Sequence, residues 1–336
     1  MHRQDRYRGC LVGGGAGDAL GYAVEFLGEE AIIGRYGEEG IRAFRLVDGV
    51  AQISDDTQMT LFTAAGLLLP GEDKVQNVWE CYNEWYVTQF HAFGAAGKNL
   101  SGLMGVQALW APRAPGRTCL AAISGGKPGS PSHPINHSKG CGGVMRAAPA
   151  GLISPENPMN AAILGAKTSA LTHCHDLGWL PGAMLGHMVA QLVSVENLPI
   201  EKAARKALFA LTYEYAHAPD LRVFLDLMER AIELAHADAP ELDAIHTLGE
   251  GWVGDEAMAI ALYCAIRHEN DFAAGIIAAV NHKGDSDSTG AIAGNLLGAK
   301  LGYEAIPDEF KDKLELRELL LSMADRLYEQ TGGDLT

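Results

Sequence analysis

Apolar residues recur at intervals of three and four along most of this chain. Between Lys74 and Phe90 they are Val75, Val78, Trp79, Tyr82, Trp85 and Tyr86. Such spacing places them on one face of an amphipathic helix. Similar patterns predict helices over residues 161–173, 200–216, 221–235, 256–268 and 314–328. We interpret these apolar faces, with Trp79, Trp85 and Tyr86 among them, as core and not as a ligand-stacking surface.

Strand signals are few. Residues 41–47 predict a short strand or an extended loop, and no other segment alternates apolar and polar residues convincingly. The chain also shows no internal repeat and no low-complexity linker that would divide it. We therefore predict an all-α fold, a single compact multi-helix bundle in which residues 1–336 form one domain.

Composition narrows the class of protein. The chain has 336 residues, of which 48% are apolar and 20% are charged, so it can bury a sizeable core. Its 26 basic and 42 acidic residues give a net charge of −16, which makes a nucleic-acid partner improbable. Its six cysteines lack CxxC spacing, which favours reduced thiols over disulfides or a zinc site. No apolar run approaches the ~20 residues of a membrane span, so we expect a cytoplasmic protein without a membrane partner. The sequence leaves the oligomeric state open, and we favour a monomer.

Residues 116–143 are rich in glycine, proline and serine and predict a long irregular segment, which is either a binding loop or a surface insertion. A second glycine-rich stretch, residues 13–18, lacks the third glycine and the preceding strand of a dinucleotide-binding fingerprint. We interpret its glycines as positions of close helix packing. Asp18, at its end, is expected either to support a neighbouring ligand or to cap another helix.

Two acidic clusters stand at the starts of predicted helices. Ser54-Asp55-Asp56-Thr57 precedes the apolar run 59–69, and Gly284-Asp285-Ser286-Asp287-Ser288-Thr289 precedes the small-residue helix 291–301. Helix capping is one interpretation, since serine and aspartate are good N-caps and acids suit the helix dipole. However, capping needs one carboxylate and adjacent carboxylates repel one another. Two such clusters favour one shared site for a hard cation, with Mg²⁺ or Mn²⁺ preferred over Zn²⁺ because the ligands are oxygens.

A histidine-containing segment also has the composition of a metal site. Thr172-His173-Cys174-His175-Asp176 resembles a zinc cluster, but its spacing on a helix end separates the two histidines and no partner ligands follow. We interpret these histidines as hydrogen-bonded residues of the core or the edge of a cleft.

Four blocks of this sequence resemble the ADP-ribosylglycohydrolases, a family that includes dinitrogenase reductase-activating glycohydrolase and the ADP-ribosylarginine hydrolases. The blocks are residues 8–21 with Glu25 after them, residues 54–57, residues 140–146 and residues 284–289. They occur in the family's order and span nearly the whole chain.

The resemblance implies an all-α fold with two Mg²⁺ or Mn²⁺ ions in a cleft. It implies metal ligands at Ser54, Asp55, Asp56, Asp285, Asp287 and Ser288, with Asp287 bridging the ions. It also implies Glu25 as the catalytic acid–base residue. The expected ADP-ribose-binding residues are Ser138, Lys139, Gly140, Cys141, Gly142, Gly143, Met145 and His173. Glycines there would let backbone amides approach the pyrophosphate.

The implied reaction is hydrolysis of the N- or O-glycosidic bond that links ADP-ribose to an acceptor side chain, on a protein or in a small conjugate. We favour arginine over serine or another acceptor, although residues 91–111 lack the acid that nitrogenase-regulating members carry there. Two alternatives stay open: a non-catalytic ADP-ribose-binding protein, and a metal-dependent phosphohydrolase. The complete acid set argues against the first. The second needs a basic clamp, for which only Lys139, Arg146 and Lys283 lie beside the motifs.

Overall fold

The computed structural model describes residues 2–333, and α-helices dominate this region. Its fifteen α-helices are α1 (Arg3–Tyr22), α2 (Glu29–Tyr36), α3 (Asp55–Leu68), α4 (Lys74–Phe90), α5 (Arg117–Ser124), α6 (Ala148–Ile153), α7 (Pro158–Ala170), α8 (Asp176–Ser194), α9 (Ile200–Glu214), α10 (Leu221–His236), α11 (Glu241–Leu248), α12 (Gly254–Arg267), α13 (Phe272–Val280), α14 (Ser286–Leu301) and α15 (Arg317–Gln330). Short 3₁₀ helices cover Gln107–Leu109, Cys141–Arg146 and Asp308–Phe310.

The all-α prediction is confirmed, and every helix predicted from apolar spacing is present. Helix α4 has the predicted limits, Lys74–Phe90. Helices α7, α9, α10, α12 and α15 differ from the predicted ranges by a few residues at their ends. Trp79 and Trp85 are buried and Tyr86 packs against the core from a half-buried position, so the interpretation of this face as core is also confirmed.

The strand prediction is only partly right. Two-residue strands β1 (Leu46–Val47) and β2 (Val50–Ala51) form an antiparallel hairpin, while residues 41–45 are not a strand. The turn between them is Asp48-Gly49, with φ values of 52° and 86°. An Asp-Gly pair favours such a left-handed hairpin turn, so this dipeptide is the signal from which β2 could have been predicted.

The core contains two antiparallel helices whose backbones touch. Glycines of α1 face glycines of α14 in pairs: a Cβ added at Gly17 would lie 1.9 Å from the carbonyl oxygen of Gly290, and one at Gly294 would lie 2.0 Å from that of Gly13. Only glycine permits this approach, so the predicted close packing of residues 13–17 is confirmed. This contact holds the end of α1 beside the start of α14. Glu25, which follows α1, therefore lies near the second acidic cluster.

All six cysteines are free, as predicted. Among residues 2–333, the helices are too short or too polar to cross a bilayer.

Candidate active site

The first acidic cluster lies at the start of α3, where two other side chains perform the capping. Ser54 Oγ accepts a hydrogen bond from the Asp56 amide at 3.1 Å. The Asp18 carboxylate accepts from the Ser54 amide at 3.0 Å, from the Thr57 amide at 3.1 Å and from the Thr57 hydroxyl. Asp18 is therefore a cap on a neighbouring helix, one of the two roles expected for it. Since capping is complete without them, Asp55 and Asp56 are left for another purpose.

The second cluster lies inside the first turn of α14, which begins at Ser286 and not at residue 291. Asp285 occupies the N-cap position but makes no capping hydrogen bond with its side chain. Gly284 has a φ of +124°, and a Cβ there would lie 2.0 Å from the carbonyl oxygen of Glu250. This glycine permits the sharp turn that presents Asp285 and Asp287 together.

The fold brings the two clusters into contact, with Glu25 beside them. Ser288 Oγ donates a hydrogen bond to the Asp56 carboxylate at 2.9 Å. Oxygens of Glu25, Asp285 and Asp287 all lie within 4.8 Å of one another. The sequence predicted that residues more than two hundred positions apart would meet here, and the structure places them together.

Burial and mutual repulsion raise the pKa values of five acids at this site, Asp18, Glu25, Asp55, Asp56 and Asp285. The pKa of Glu25 is raised to about 11, first by burial and then by the charges of Asp287 and Asp285. Burial and the charge of Asp287 raise the pKa of Asp18 to about 7. The pKa values of Asp55, Asp56 and Asp285 are well above the ordinary range for the same two reasons. A buried set of this kind cannot ionise fully without nearby positive charge.

The donor set suits a hard divalent cation. Its members are carboxylates and hydroxyls, and Glu25 Oε2 is buried with no hydrogen-bond partner among the described residues. Oxygen ligands of this kind are those that Mg²⁺ and Mn²⁺ prefer. The nearest thiol, Cys141 Sγ, donates to the Asp285 carboxylate at 2.6 Å. Burial raises the pKa of this thiol well above its usual value, so it is unsuited to act as a thiolate ligand.

A cleft of about 590 Å³ opens over the acids. The expected site residues that line it are Glu25, Asp55, Asp56, Gly140, Cys141, Gly142, Met145, His173, Asp285, Asp287 and Ser288. Four expected residues do not line it: Ser54, Ser138, Lys139 and Gly143. Ser54 and Gly143 are fully or nearly fully buried, and Ser138 Oγ is engaged with Thr118 and with the Gly140 amide. Ser54, Ser138 and Gly143 stand behind the lining, whereas the Lys139 side chain is exposed outside the cleft and its carbonyl accepts from the Gly254 amide at 2.8 Å.

Gly140 is the N-cap of the 3₁₀ helix Cys141–Arg146. The glycine block therefore begins a 3₁₀ helix and not an α-helix. A Cβ at Gly142 would lie 2.7 Å from Cε1 of His173 and 2.9 Å from Sγ of Cys119. Gly142 is thus required for packing of the loop itself, besides leaving its backbone accessible from the cleft.

His173 is fixed as a neutral imidazole. Arg146 Nη2 donates to the Thr172 hydroxyl at 2.6 Å, so that hydroxyl has its own hydrogen available for Nδ1 of His173, 2.8 Å away. Burial and the Arg146 guanidinium lower the pKa of His173 to about 3. With the Thr172 hydroxyl as the donor to Nδ1, the one ring hydrogen of the neutral imidazole is assigned to Nε2, which faces Gly140 and Gly142. His175 instead caps α8 through the Leu177 amide, so the two histidines have separate partners, as predicted.

The sequence interpretation missed several residues of the cleft. Phe26 and Trp252 stack at the cleft with their ring centroids 6.3 Å apart and are 71% and 42% exposed. Both lie in loops, where apolar periodicity gives no signal. Arg117 also lines the cleft and begins α5, a helix inside the segment predicted to be irregular. The buried residues Cys119, Ala122 and Ile123 of α5 have the three-and-four spacing that could have identified it.

Comparison with known proteins gives one consistent family. The model of the ADP-ribosylglycohydrolase family matches residues 1–335. ADP-ribosyl-[dinitrogen reductase] glycohydrolase of Rhodospirillum rubrum is 26% identical, over 93% of this chain and 91% of that protein. ADP-ribosylarginine hydrolase Tri1 of Serratia proteamaculans is 24% identical over 96% of this chain and 79% of its own. A solved structure described as an ADP-ribosylglycohydrolase-related protein complex superposes with a TM-score of 0.70 at 26% identity, over 98% of this chain and 99% of that one.

Proposed function

This chain belongs to the ADP-ribosylglycohydrolase family, and from that premise we propose that it hydrolyses the N- or O-glycosidic bond between ADP-ribose and an acceptor side chain, with arginine as the favoured acceptor. Family membership supports the general activity, an enzyme that hydrolyses ADP-ribose linkages. The observation that carries the specific proposal is the meeting of Asp56 and Ser288, which joins two acidic helix starts at the cleft beside Glu25.

The cleft matches the chemistry of ADP-ribose along its wall. Acidic groups suit ribose hydroxyls, which donate hydrogen bonds to carboxylates. The backbone at Gly140 and Gly142 and the Nε2 hydrogen of His173 suit a pyrophosphate, and Arg117 adds a positive charge on the same lining. The stacked pair Phe26 and Trp252 offers an apolar face for a purine.

Asp55, Asp56, Asp285 and Asp287, with Ser54 and Ser288, would hold two Mg²⁺ or Mn²⁺ ions. When bound, such ions orient hydroxyls and water and neutralise developing charge. Asp55 is already oriented by the Gly116 amide, which donates to its carboxylate at 3.1 Å, and Asp56 by Ser288. Ser54 is fully buried and its Oγ already accepts from Asp56, so it has one lone pair left for a ligand.

Glu25 would move the proton. In the hydrolysis, the bond between ribose C1″ and the acceptor atom breaks and a bond between C1″ and a water oxygen forms. One proton leaves that water, and the departing nitrogen or oxygen gains one. The pKa of Glu25 is about 11 without a neighbouring cation and would fall beside bound cations, so that Glu25 would be ionised there. Its Oε2 has no competing hydrogen bond among the described residues, so it would be free to take the first proton and to return one to the leaving group.

Arginine is favoured because the name of the relative Tri1 identifies an ADP-ribosylarginine hydrolase. A phosphohydrolase is less well supported, because Lys283 pairs with Glu250 at 2.9 Å and neither Lys139 nor the buried Arg146 lines the cleft. Arg117 is then the one lysine or arginine in the described lining, and a clamp on a transferred phosphoryl group would rest on it alone. We further propose a single domain that acts on its substrate as a cytoplasmic monomer, which agrees with the extent of the family match and the free thiols.

The test is to identify the product. The protein is incubated with Mg²⁺ or Mn²⁺ and either an ADP-ribosyl-arginine peptide or the serine-linked equivalent, and the released compound is identified by mass. We expect free ADP-ribose, formed faster from the arginine conjugate. Release of AMP would show a phosphohydrolase, and binding without release would show a non-catalytic ADP-ribose-binding protein. Faster release from the serine conjugate would overturn the acceptor assignment alone.

A further inference from the structure

A second cavity also has Glu25 in its lining, but two arginines line it where the cleft over the acids is lined by several carboxylates. We propose, on the basis of the function proposed above, that this cavity binds acidic side chains that flank the modified residue of the acceptor protein. It has a volume of about 480 Å³ and is bounded by the end of α1, by α2 and by the hairpin strand β1. Its polar lining residues are Tyr22, Glu25, Arg35, Arg45 and Gln52.

Position relates this cavity to the acceptor. Glu25 and Phe26 line both the cavity and the cleft, so the two spaces share a wall at the proposed catalytic residue. An acceptor whose linkage to ADP-ribose reaches Glu25 must continue away from the cleft as a polypeptide. The cavity adjoins that point, so residues next to the modified side chain can reach it.

The charge of the lining identifies the class of ligand. Arg35 and Arg45 are exposed, and neither forms an ion pair with a carboxylate of residues 2–333. By contrast, Arg42 pairs with Glu39 at 3.2 Å and Arg113 pairs with Glu315 at 3.2 Å. Glu25 is the one acidic residue in the described lining. Two free guanidinium groups in one cavity match carboxylates, which arginine binds in a bidentate manner.

An acidic protein segment fits this cavity better than a nucleic acid. The chain has a net charge of −16, which repels a long polyanion, whereas two arginines suffice for two nearby carboxylates. The range of the attraction is short, since charges are screened over ~8 Å at physiological salt. The cavity would therefore distinguish residues close to the modified side chain and not the overall charge of the acceptor.

The experiment compares two ADP-ribosyl-arginine peptides that differ only in their flanking residues, Asp and Glu in one, Asn and Gln in the other. We expect the wild-type kcat/KM to be about fivefold higher for the acidic peptide, the size expected from two exposed ion pairs. The double variant Arg35→Gln/Arg45→Gln should bring the ratio of the two kcat/KM values to near one. In the wild type, about 0.5 M NaCl should also bring this ratio to near one, because salt screens the exposed ion pairs. The matched control is Arg42→Gln, an exposed arginine outside this cavity, which should retain the ratio.

Equal kcat/KM values for the two peptides in the wild type would overturn the proposal, as would an unchanged ratio in the double variant. An ADP-ribosylated oligonucleotide that is preferred to both peptides, with the preference lost in the double variant, would assign the cavity to phosphates instead. Cleavage of free ADP-ribosyl-arginine by the wild type tests the proposed function separately. If that compound is not cleaved, fluorescence anisotropy with the unmodified peptides still decides the cavity: tighter binding of the acidic one, dependent on the two arginines, supports it, and equal binding overturns it.

Discussion

The hydroxyl of Ser288 donates a hydrogen bond to the carboxylate of Asp56 at 2.9 Å, across 232 positions of sequence. This contact joins the first turn of α14 to the first turn of α3. Both helices therefore direct the positive ends of their dipoles at one group of carboxylates. Helix dipoles alone offset only a small part of the repulsion among several buried acids, so the site is built for a further source of positive charge.

Asp287 is expected to be the residue on which metal binding depends most. Its charge contributes to the raised pKa values of Glu25, Asp55, Asp56 and Asp285. In EDTA, Asp287→Asn should melt at or above the wild-type temperature, because one repulsive charge is removed. Added Mn²⁺ should stabilise the wild type, by about 2.7 kcal/mol at one hundred times Kd, and should leave the variant almost unchanged.

Differential scanning calorimetry with and without Mn²⁺ measures this effect, together with the bound metal content. Asp226→Asn is a suitable control, since Asp226 is an exposed acid of α10 that pairs with Arg222. The idea of a metal site would be abandoned if EDTA-dialysed wild type kept full hydrolase activity. An equal Mn²⁺-induced shift in Asp287→Asn would show that this residue is not a ligand.

The glycine contacts between α1 and α14 predict opposite effects of two Gly→Ala substitutions. A Cβ at Gly17 would lie 1.9 Å from the Gly290 carbonyl oxygen, whereas one at Gly34 in α2 would have nothing within 4 Å. Gly17→Ala should therefore destabilise the fold by about 3 kcal/mol or more, since two backbones must separate. Gly34→Ala should stabilise it by about 0.5–1 kcal/mol, because alanine is the better helix former. Urea unfolding provides both values, and similar values for the two variants would contradict the close helix contact.

The helices and the acid clusters could be predicted from the sequence because both depend on local patterns. Apolar spacing defines a helix such as α4 without knowledge of its neighbours, and Ser54 is a local N-cap. The role of Asp18 could not be settled, since its partners at Ser54 and Thr57 belong to another helix. Tertiary packing decides which of two reasonable functions such a buried carboxylate performs.

The aromatic residues that line the cleft were harder to predict than the acids at its base. Phe26 and Trp252 are far apart in the chain and stack only because the loops after α1 and before α12 converge. Single exposed aromatic residues are common on protein surfaces, so neither one is informative alone. The unpaired state of Arg35 and Arg45 is similarly invisible in a sequence, because it depends on which carboxylates the fold leaves out of reach.

Acid sensitivity of the fold is expected to depend in part on His187 in α8. Burial and nearby Lys206 lower the pKa of His187 to about 4 from the usual 6.5. In the unfolded chain His187 is protonated below pH 6.5, whereas in the folded protein it is protonated only near pH 4. The stability that neutral His187 contributes is therefore complete above pH 6.5 and is lost as the pH falls from 6.5 to about 4. Wild type should lose about 2 kcal/mol more than His187→Gln between pH 7.5 and about pH 5.

Urea titrations at several pH values test this difference. His236→Gln serves as the control, because His236 is exposed on α10 and pairs with Glu201. This variant should keep the acid-induced loss of stability of the wild type. Parallel curves for wild type and His187→Gln would exclude a buried neutral histidine at this position.

Glu25→Gln is expected to separate proton transfer from metal binding. The side chain is buried, Oε2 has no hydrogen-bond partner among residues 2–333, and its oxygens lie within 4.8 Å of those of Asp285 and Asp287. Glutamine keeps the size of the side chain and one carbonyl acceptor but cannot take a proton. It also removes an ionisable carboxyl from a set of buried acids that repel one another when charged, so the fold should not be weakened. The single-turnover rate of ADP-ribose release should fall by about 10² or more, as for loss of a positioned acid–base group.

The decisive comparison is between this rate at saturating substrate and the metal content of the same sample, with the exposed Glu30→Gln in α2 as control. A large loss of rate with metal retained identifies Glu25 as the proton-transfer residue. Activity recovered by excess Mn²⁺ would instead make Glu25 a metal ligand, which its position beside Asp285 and Asp287 permits. A near wild-type rate would remove it from catalysis. Weaker ADP-ribose affinity at an unchanged rate would leave it a binding residue, because a group that acts only on the bound ground state changes affinity and not the chemical step.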